Sequence, residues 1–541
     1  LYGSAEDFFL NRGARQGDIM NSSRSVLRLA SLILLVSSVS FGATITGTVK
    51  GKDGAPFQGA FVQAQNTKNR ISVFVLSDSR GQYRIDKLPA GEYRVQIDAI
   101  GFRSDPRTGV TLATDQNVSF DFALQTADVR WSDLSVYQGK QLLPPGRGKD
   151  ILFGDSCSVC HSFQSRMAAV RRDADGWSDR VQYMRTAMSY ILASRINDHD
   201  AADLSGYLTS VFGPNSVLPK SASDAPGYKT TLRPFSKDAL NIVYVEYEMP
   251  GPSRMPFSAA PDKNGNLWIP NFGNANKITR LDPKTGAMQD FTVPNVSTAS
   301  IHSAVPGPDG AVWLAEQASN KLGRWDPATQ EITEYQDTKG SKHTVRLDRS
   351  GNVWTTGSPL TKFDPETKKF TRFEEVKDSY DVRQDANGDI WFTRLFGSKF
   401  GKVDGKTMQV TQWDSPTPGG GPRRMEIAPD GMIWMDEYNA GKIARFDPKT
   451  QTFTEFPLPG PNPTPYALGL DVDGNLWYNS NDLDVLGRFN TKTGEVTEYP
   501  FPHAEMYMRE FFRDSEGRMW YGSNPNNKVG YFYLAKDSSK K

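Results

Sequence analysis

Cys157-Ser158-Val159-Cys160-His161 holds both cysteines of this 541-residue chain in the C-x-x-C-H spacing of a c-type haem attachment site. In that chemistry two thioethers fix the porphyrin and His161 is the proximal iron ligand. Two other readings of the same five residues are weaker. A closed zinc site needs four ligands, and with no third cysteine and only His199 nearby the set is incomplete. A thioredoxin-like dithiol belongs in a βαβ setting, which the flanking sequence lacks.

Haem of this kind is attached outside the cytoplasm, so the motif predicts export. From Met20, Arg24 and Arg28 make a basic region, Leu29 to Val39 an apolar run, and Ser40-Phe41-Gly42-Ala43 a small-residue cleavage site. Residues 20–43 therefore read as a secretory signal peptide, and the chain as periplasmic or secreted. The apolar run is too short to span a bilayer, which predicts no membrane span once the signal is removed. Residues 1–19 precede Met20 and read as an upstream segment outside the fold. Lys and Arg total 63 against 62 Asp and Glu, a formal net charge of +1, so no global field exists to attract nucleic acid.

The elements around the motif divide the chain. Residues 44–125 alternate apolar and polar positions, as in Ile45-Thr46-Gly47-Thr48-Val49 and Tyr93-Arg94-Val95-Gln96-Ile97, between turns such as Asp53-Gly54-Ala55-Pro56. This pattern predicts a small antiparallel sandwich. Residues 128–213 lose the alternation. Trp177, Val181, Met184, Met188 and Ile191 form one helical stripe; Leu204, Tyr207, Leu208, Val211 and Phe212 form a second, ended by Gly213-Pro214. Residues 214–239, rich in Pro, Ser and Lys and without periodicity, read as a linker.

From residue 240 to 535 a turn followed by a tryptophan recurs. Trp268, Trp313, Trp354, Trp391, Trp434, Trp477 and Trp520 stand at intervals of 45, 41, 37, 43, 43 and 43 residues. That period is one of β-propeller blades, and seven copies predict seven blades. The last repeat lacks a fourth strand, whereas Ile242 to Tyr247, ahead of the first repeat, has the fourth-strand pattern. The two halves are expected to join and close the ring.

Three resemblances follow from these residues. Asp78-Ser79-Arg80-Gly81-Gln82-Tyr83 and Leu88-Pro89-Ala90-Gly91-Glu92-Tyr93 resemble the carboxypeptidase regulatory-like domain, which implies a transthyretin-like β-sandwich without catalytic residues. The helical segment around Cys157 to His161 resembles small monohaem cytochromes c, in which a C-terminal helix packs on the helix preceding the motif. One covalent haem c is then the implied cofactor. A sulfur ligand suits electron transfer, so Met184 leads as the sixth ligand, with Met188, Met167 and His199 as alternatives. The repeat Pro308-Asp309-Gly310-Ala311-Val312-Trp313 through Lys321 to Tyr335 resembles the streptogramin (virginiamycin B) lyases. These are seven-bladed propellers that open a cyclic depsipeptide ester by metal-assisted elimination at the channel mouth.

The turn glycines give a register for testing that last resemblance. Eight residues before them stand Phe257, His302, His343, Tyr380, Arg423, Tyr466 and Arg509, expected as a ring. Three residues after the tryptophans a second ring reads Asn271, Glu316, Gly357, Arg394, Glu437, Ser480 and Ser523. His302 and His343 match the family's histidine pair and are the catalytic candidates, either able to act as a base. The family's acidic positions are occupied by Ser341 and Gly357, so the carboxylates for Mg²⁺ are missing. Glu316, Tyr380, Arg394, Arg423, Glu437, Tyr466 and Arg509 remain as ligand-binding candidates; of these Arg394, Arg423 and Arg509, with Arg424, and Tyr380 and Tyr466 would suit an anionic or aromatic ligand.

These readings assign a multidomain, mainly β chain of three parts: β-sandwich, small all-α cytochrome c domain and seven-bladed propeller. The expected function is electron transfer by an exported c-type cytochrome. Its partners would be a redox protein or small-molecule electron donor, and a ligand bound by the propeller. The alternatives are a streptogramin-type C–O lyase or related hydrolase with an accessory haem domain, and a non-enzymatic recognition scaffold.

Overall fold

A computed structural model describes residues 42–154, 162–187, 196–294, 298–337 and 340–535. Residues 1–41, and with them most of the expected signal peptide, lie outside the described residues, as do Cys157, Cys160, His161 and Met188. No helix among the described residues is long and apolar enough to cross a membrane.

The sandwich begins one residue earlier than expected, because Ala43 is fully buried and pairs with Leu88 in the strand Ala43–Lys50. Alternation carries Ile45, Val62, Ile85, Val95 and Leu112 into its core, while Phe61 and Phe74 on the opposite face pack into the core of the last blade. The expectation of a purely antiparallel sandwich is corrected on one side. Ala43–Lys50 pairs antiparallel with Gln82–Leu88 but parallel with Asn117–Ser119 and Phe122–Ala123.

Seven sheets follow from the seven tryptophan repeats, six of them four-stranded within one repeat. Each tryptophan lies in the second strand of its sheet. In five repeats an aspartate six residues earlier accepts the indole N–H, at 2.7 to 3.1 Å, from Trp268, Trp354, Trp391, Trp477 and Trp520. The same aspartates cap the preceding turn, so one local bond ties turn to strand. Innermost strands of successive sheets touch in sequence, and Phe512–Arg513 of the last meets Ala260–Pro261 of the first, closing the ring.

The closing strand is Ile242–Glu248, paired along its whole length with Lys528–Leu534, as expected. Its outer edge also pairs with Ser72–Leu76 of the sandwich. One eight-stranded sheet thus runs from the propeller's last blade through Ile242–Glu248 into Ser72–Leu76, Phe61–Asn66, Gly91–Asp98 and Arg107–Leu112. Being central, Ile242–Glu248 is buried on both faces despite its alternating sequence.

Between sandwich and propeller, helices Val136–Leu142, Arg147–Phe153, Ala174–Ala187 and Asp198–Phe212 enclose Trp131, Leu152, Phe163, Trp177, Leu204, Leu208 and Phe212. Ser135 and Asn197 begin two of these helices with reciprocal side-chain caps. Arg147–Phe153 packs directly on Asp198–Phe212 through Gly148, where an added Cβ would stand 2.2 Å from the Tyr207 Cβ. Residues 214–239, expected as a linker, instead pack back on this region. Ala222 N–H donates to Val129 O at 2.8 Å, and the Trp131 indole N–H to Pro219 O at 2.9 Å. The buried indole needs an acceptor, and the segment supplies it.

Candidate functional site

The first ring exists, and β-bulges place much of it. The inner strands are irregular between Ile301 and Ser303, Ser379 and Val382, Pro422 and Met425, and Pro465 and Leu468. His302, Tyr380, Arg423 and Tyr466 sit in those irregularities, where an extra residue re-aims a side chain out of the ladder. Contacts run around and across the axis. His302 and His343 have ring centroids 3.6 Å apart, His343 and Tyr380 4.4 Å, and Phe257 and His302 4.9 Å. Tyr380 and Tyr466, from blades 4 and 6, share a 2.5 Å hydrogen bond between their hydroxyls, and Arg509 Nη1 donates to the Tyr466 hydroxyl.

The Arg423 guanidinium lies 3.3 Å from the Tyr466 ring centroid, 4.3 Å from Tyr438 and 4.8 Å from Tyr380. It is buried, and its Nε and Nη1 have no hydrogen-bond partner among the described residues. Arg424 is held instead by Thr344 Oγ1 at 3.0 Å and the Arg509 carbonyl at 3.2 Å, with Glu510 and Asp381 close by. Burial holds both histidines neutral, their pKa values well below the usual imidazole range. For His302 the neighbouring His343 and the arginines add to it; for His343 the arginines do.

Glu316, Glu437 and Arg394 of the second ring bond within their own blades. Glu316 opposes Ile301, accepts from Ser319 Oγ at 2.9 Å and sits beside Glu334 of its own blade, whose carboxylate is bound by Lys321 at 2.8 Å. Glu437 repeats this with Ser415, Glu455 and Lys442. Burial, reinforced by the adjoining carboxyl, pushes both Glu316 and Glu437 up to about 7. Arg394 binds Asp378 at 2.8 Å and Gln412 at 2.7 Å. These three residues, proposed by spacing as ligand contacts, brace their own blades. The channel cluster is His302, His343, Tyr380, Arg423, Tyr466 and Arg509, joined by Tyr438 and Tyr507, which spacing did not single out.

The chain's own residues do not fit the Mg²⁺ that the lyase resemblance implies. Gly357 has φ +145, and a Cβ there would lie 2.1 Å from the Ser341 carbonyl oxygen, so no carboxylate could be carried at this position without moving backbone. A dication beside His302 and His343 would also meet the field of Arg423, Arg424 and Arg509.

Around the haem motif the described candidates separate. Met184 and Met167 are half-buried, whereas His199 is 78% exposed and pairs with Asp203 at 3.2 Å. The turn just after the motif is clamped to the propeller. Glu505, in the loop that leads into Tyr507 and Arg509, accepts the N–H groups of Ser162 at 3.0 Å and Ser165 at 2.8 Å. Lys140 adds an ion pair to Asp482 at 2.5 Å. Glu505→Ala leaves two amides without their carboxylate and is expected to cost about 1.5–3 kcal/mol. The loss should appear in chemical unfolding followed by tryptophan fluorescence, and as earlier proteolysis between helical region and propeller.

Comparison with known proteins bears on two of the three parts. Residues 365–537 match the virginiamycin B lyase family, and residues 44–125 match the carboxypeptidase regulatory-like domain. No curated protein matches the chain in sequence. A streptogramin B lyase structure is similar at TM-score 0.51 and 21% identity, covering 56% of this chain and 100% of that one. Virginiamycin B lyase from Staphylococcus aureus is similar at TM-score 0.50 and 21% identity, covering 54% and 100%. These likenesses establish the lyase-like propeller fold and the regulatory-like domain. The matched family segment begins after His302, His343 and Gly357.

Proposed function

We propose that this chain is an exported c-type cytochrome of the periplasm or cell exterior whose propeller binds an anionic ligand. Cys157 and Cys160 would hold one haem by thioethers, His161 would be its proximal ligand and Met184 its sixth. When bound, haem supplies reversible one-electron chemistry at iron. The observation that carries the reading is the crossing of Arg147–Phe153, the helix leading into the motif, by Asp198–Phe212, with Gly148 pressed against Tyr207.

The surroundings suit such a group. Trp177 is fully buried and its indole N–H has no acceptor among the described residues, nor has the Nε of Arg172, whose guanidinium lies 5.6 Å from the Trp177 ring. A carboxylate such as a porphyrin propionate would satisfy donors of this kind. Glu505 and Lys140 hold the helical region on the propeller, so a ligand in the channel would be bound close to the motif-bearing segment. A redox protein or small molecule would exchange electrons with the haem.

Protein matured in a periplasm with haem-ligation machinery is expected to give a c-type α-band in its reduced-minus-oxidised spectrum. The Cys157→Ala/Cys160→Ala variant should lose all covalently bound haem. Absence of the band from the unmodified chain would overturn the reading.

The likeness to the streptogramin lyases favours a second reading, C–O lyase chemistry in the channel. Gly357 and the three arginines argue against its metal-assisted form, so no Mg²⁺-dependent opening of virginiamycin B is expected.

A further inference from the structure

Two carboxyl groups meet in the fifth blade beneath the loop that enters it. Glu437 ends the strand Ile433–Glu437, fully buried, and hydrogen-bonds Glu455 of the outer strand Thr452–Pro457. Their surroundings are unequal. Glu455 accepts from Thr417 Oγ1 at 2.5 Å and from Lys442 Nζ at 2.8 Å, one donor on each oxygen. Glu437 accepts from Ser415 Oγ, and its buried Oε2 meets no donor among the described residues. A buried carboxylate oxygen without a donor is costly, whereas a carboxylic acid at that place donates to Glu455, so one proton, residing on Glu437, holds the pair together. Burial first, and Glu455 second, push the Glu437 carboxyl up to about 7 accordingly.

The loop Ser415-Pro416-Thr417-Pro418-Gly419-Gly420-Gly421 joins the fourth blade to the fifth and grips both carboxyls, Ser415 on Glu437 and Thr417 on Glu455. Gly420 rests on the pair: a Cβ there would stand 2.9 Å from Glu437 Oε1 and 2.9 Å from Ser415 Oγ. Gly420 O accepts the Asn439 N–H at 2.9 Å and Gly421 O the Tyr438 N–H at 3.1 Å, and Gly421 leads directly into Pro422 and Arg423. The Tyr438 ring lies 4.3 Å from the Arg423 guanidinium, so the loop holds a residue that covers Arg423. Pro416, Pro418 and Gly419 face solvent, and Gly419 and Gly421, at φ +71 and +68, give the loop conformational freedom at its inner end. Lys442 is the charged group that faces the pair. Asp414, at the loop's entry, is 83% exposed and pairs with Lys399, while Arg423 and Arg424 of the adjoining inner strand turn to the tyrosines and to Glu510.

We propose that the Glu437–Glu455 pair is a proton latch and the loop Ser415–Gly421 the strap it fastens over the Arg423 side of the channel, closed while the pair keeps its proton and loosened when the proton leaves. With the proton lost, two carboxylates face each other beside one ammonium, and the loop is tied to both through Ser415 and Thr417, so their repulsion shifts its footing. A carboxyl raised in the folded chain contributes stability that is fully present below its unfolded value of about 4.3 and is lost as pH rises through about 7, so the latch fails on the alkaline side. In the second blade the equivalent pair, Glu316 and Glu334, binds Ser319 of its own hairpin turn, and no strap between blades is fastened there. The latch deepens the reading of the propeller as an anion-binding element, because Arg423 is covered when the strap is closed. It is read out without ligand or haem, so failure of the ligand reading would leave both measurements below unchanged.

Amide hydrogen exchange of the full chain, corrected for the intrinsic rate at each pH, tests the latch at Tyr438 and Asn439, whose N–H groups the loop holds. Exchange there should rise about tenfold from pH 6 to pH 8, the change in ionised fraction of a group titrating at about 7. Glu437→Gln replaces the shared proton with an amide N–H that donates to Glu455 and is never lost. In that isosteric variant exchange should stay slow at both pH values, whereas Glu437→Ala should exchange fast at both. Modification of Arg423 by phenylglyoxal, located by peptide mass spectrometry, should be several-fold faster at pH 8 in the parent than in Glu437→Gln. Exchange that does not change with pH, or changes equally in Glu437→Gln, would overturn the latch. Equal modification of Arg423 in both chains at pH 8 would overturn the strap.

Discussion

Glu246→Ala is expected to lower the unfolding free energy by about 3–5 kcal/mol, because it removes the buried carboxylate that His503, Lys528 and Tyr521 all contact and leaves the Lys528 ammonium without it. Glu246 lies in the strand shared by sandwich and propeller and is 1% exposed. It accepts from His503 Nε2 at 2.8 Å, Lys528 Nζ at 3.0 Å and the Tyr521 hydroxyl at 3.1 Å. Burial alone would raise its pKa, but Lys528 and His503 outweigh burial and hold the carboxyl well below the usual range. A depressed folded pKa means that the stabilisation is fully present above the unfolded value of about 4.3 and is lost as pH falls through the folded one. Urea unfolding of Glu246→Gln and the parent should therefore differ most near neutrality and converge on acidification. Combining Glu246→Gln with Lys528→Met in a double-mutant cycle should recover part of the loss, since the orphaned ammonium goes with its partner. Equal stability of parent and Glu246→Ala at pH 7 would show that the cluster does not hold the shared sheet together.

Gly357→Glu, the substitution that restores a carboxylate at the lyase-type acidic position, is expected to destabilise the propeller by roughly 2–5 kcal/mol through backbone strain and overpacking. Its φ of +145 is a conformation that L side chains rarely adopt, and its Cα faces the Ser341 carbonyl too closely for any β carbon. The peptide N–H of Gly357 is held by Ser379 Oγ at 2.9 Å, and its carbonyl accepts from the Ser379 N–H and hydroxyl, both at 2.9 Å. The backbone therefore has little freedom to rotate away. Denaturant midpoints of Gly357→Ala and Gly357→Glu should both fall, with the longer side chain worse, and neither should acquire metal-dependent activity. A stable Gly357→Glu protein that binds Mg²⁺ would refute this account.

The same residues show why some features were legible in advance. Tryptophan intervals, turn glycines and strand alternation are local and repeat many times, so blade number, strand order and the joining of Ile242–Glu248 to the last blade could be read directly. The helical stripes were legible for the same reason: Trp177, Val181, Leu204 and Leu208 fall on the core as their spacing requires. Ring positions, too, followed from counting back from a turn. Orientation did not: Glu316, Arg394 and Glu437 lie on regularly paired second strands, where Ser319, Asp378 and Ser415 of their own blades take their side chains, and Tyr438 and Tyr507 were missed because their positions in the repeat carry no periodic signal.

By itself, then, the sequence determined the β-sandwich, the helical segment bearing Cys157 to His161 and the seven repeats, because each rests on patterns within a few tens of residues. Tertiary structure alone decided how these parts meet: the sheet shared through Glu246, the clamp of Glu505 on Ser162 and Ser165, and the crossing of Tyr380 with Tyr466 under three arginines. Those are contacts between residues far apart in the chain, and their energies depend on burial. An exposed-looking glutamate becomes a buried anion only when another domain covers it, and two tyrosines share a hydrogen bond across the axis only when blades 4 and 6 are brought together.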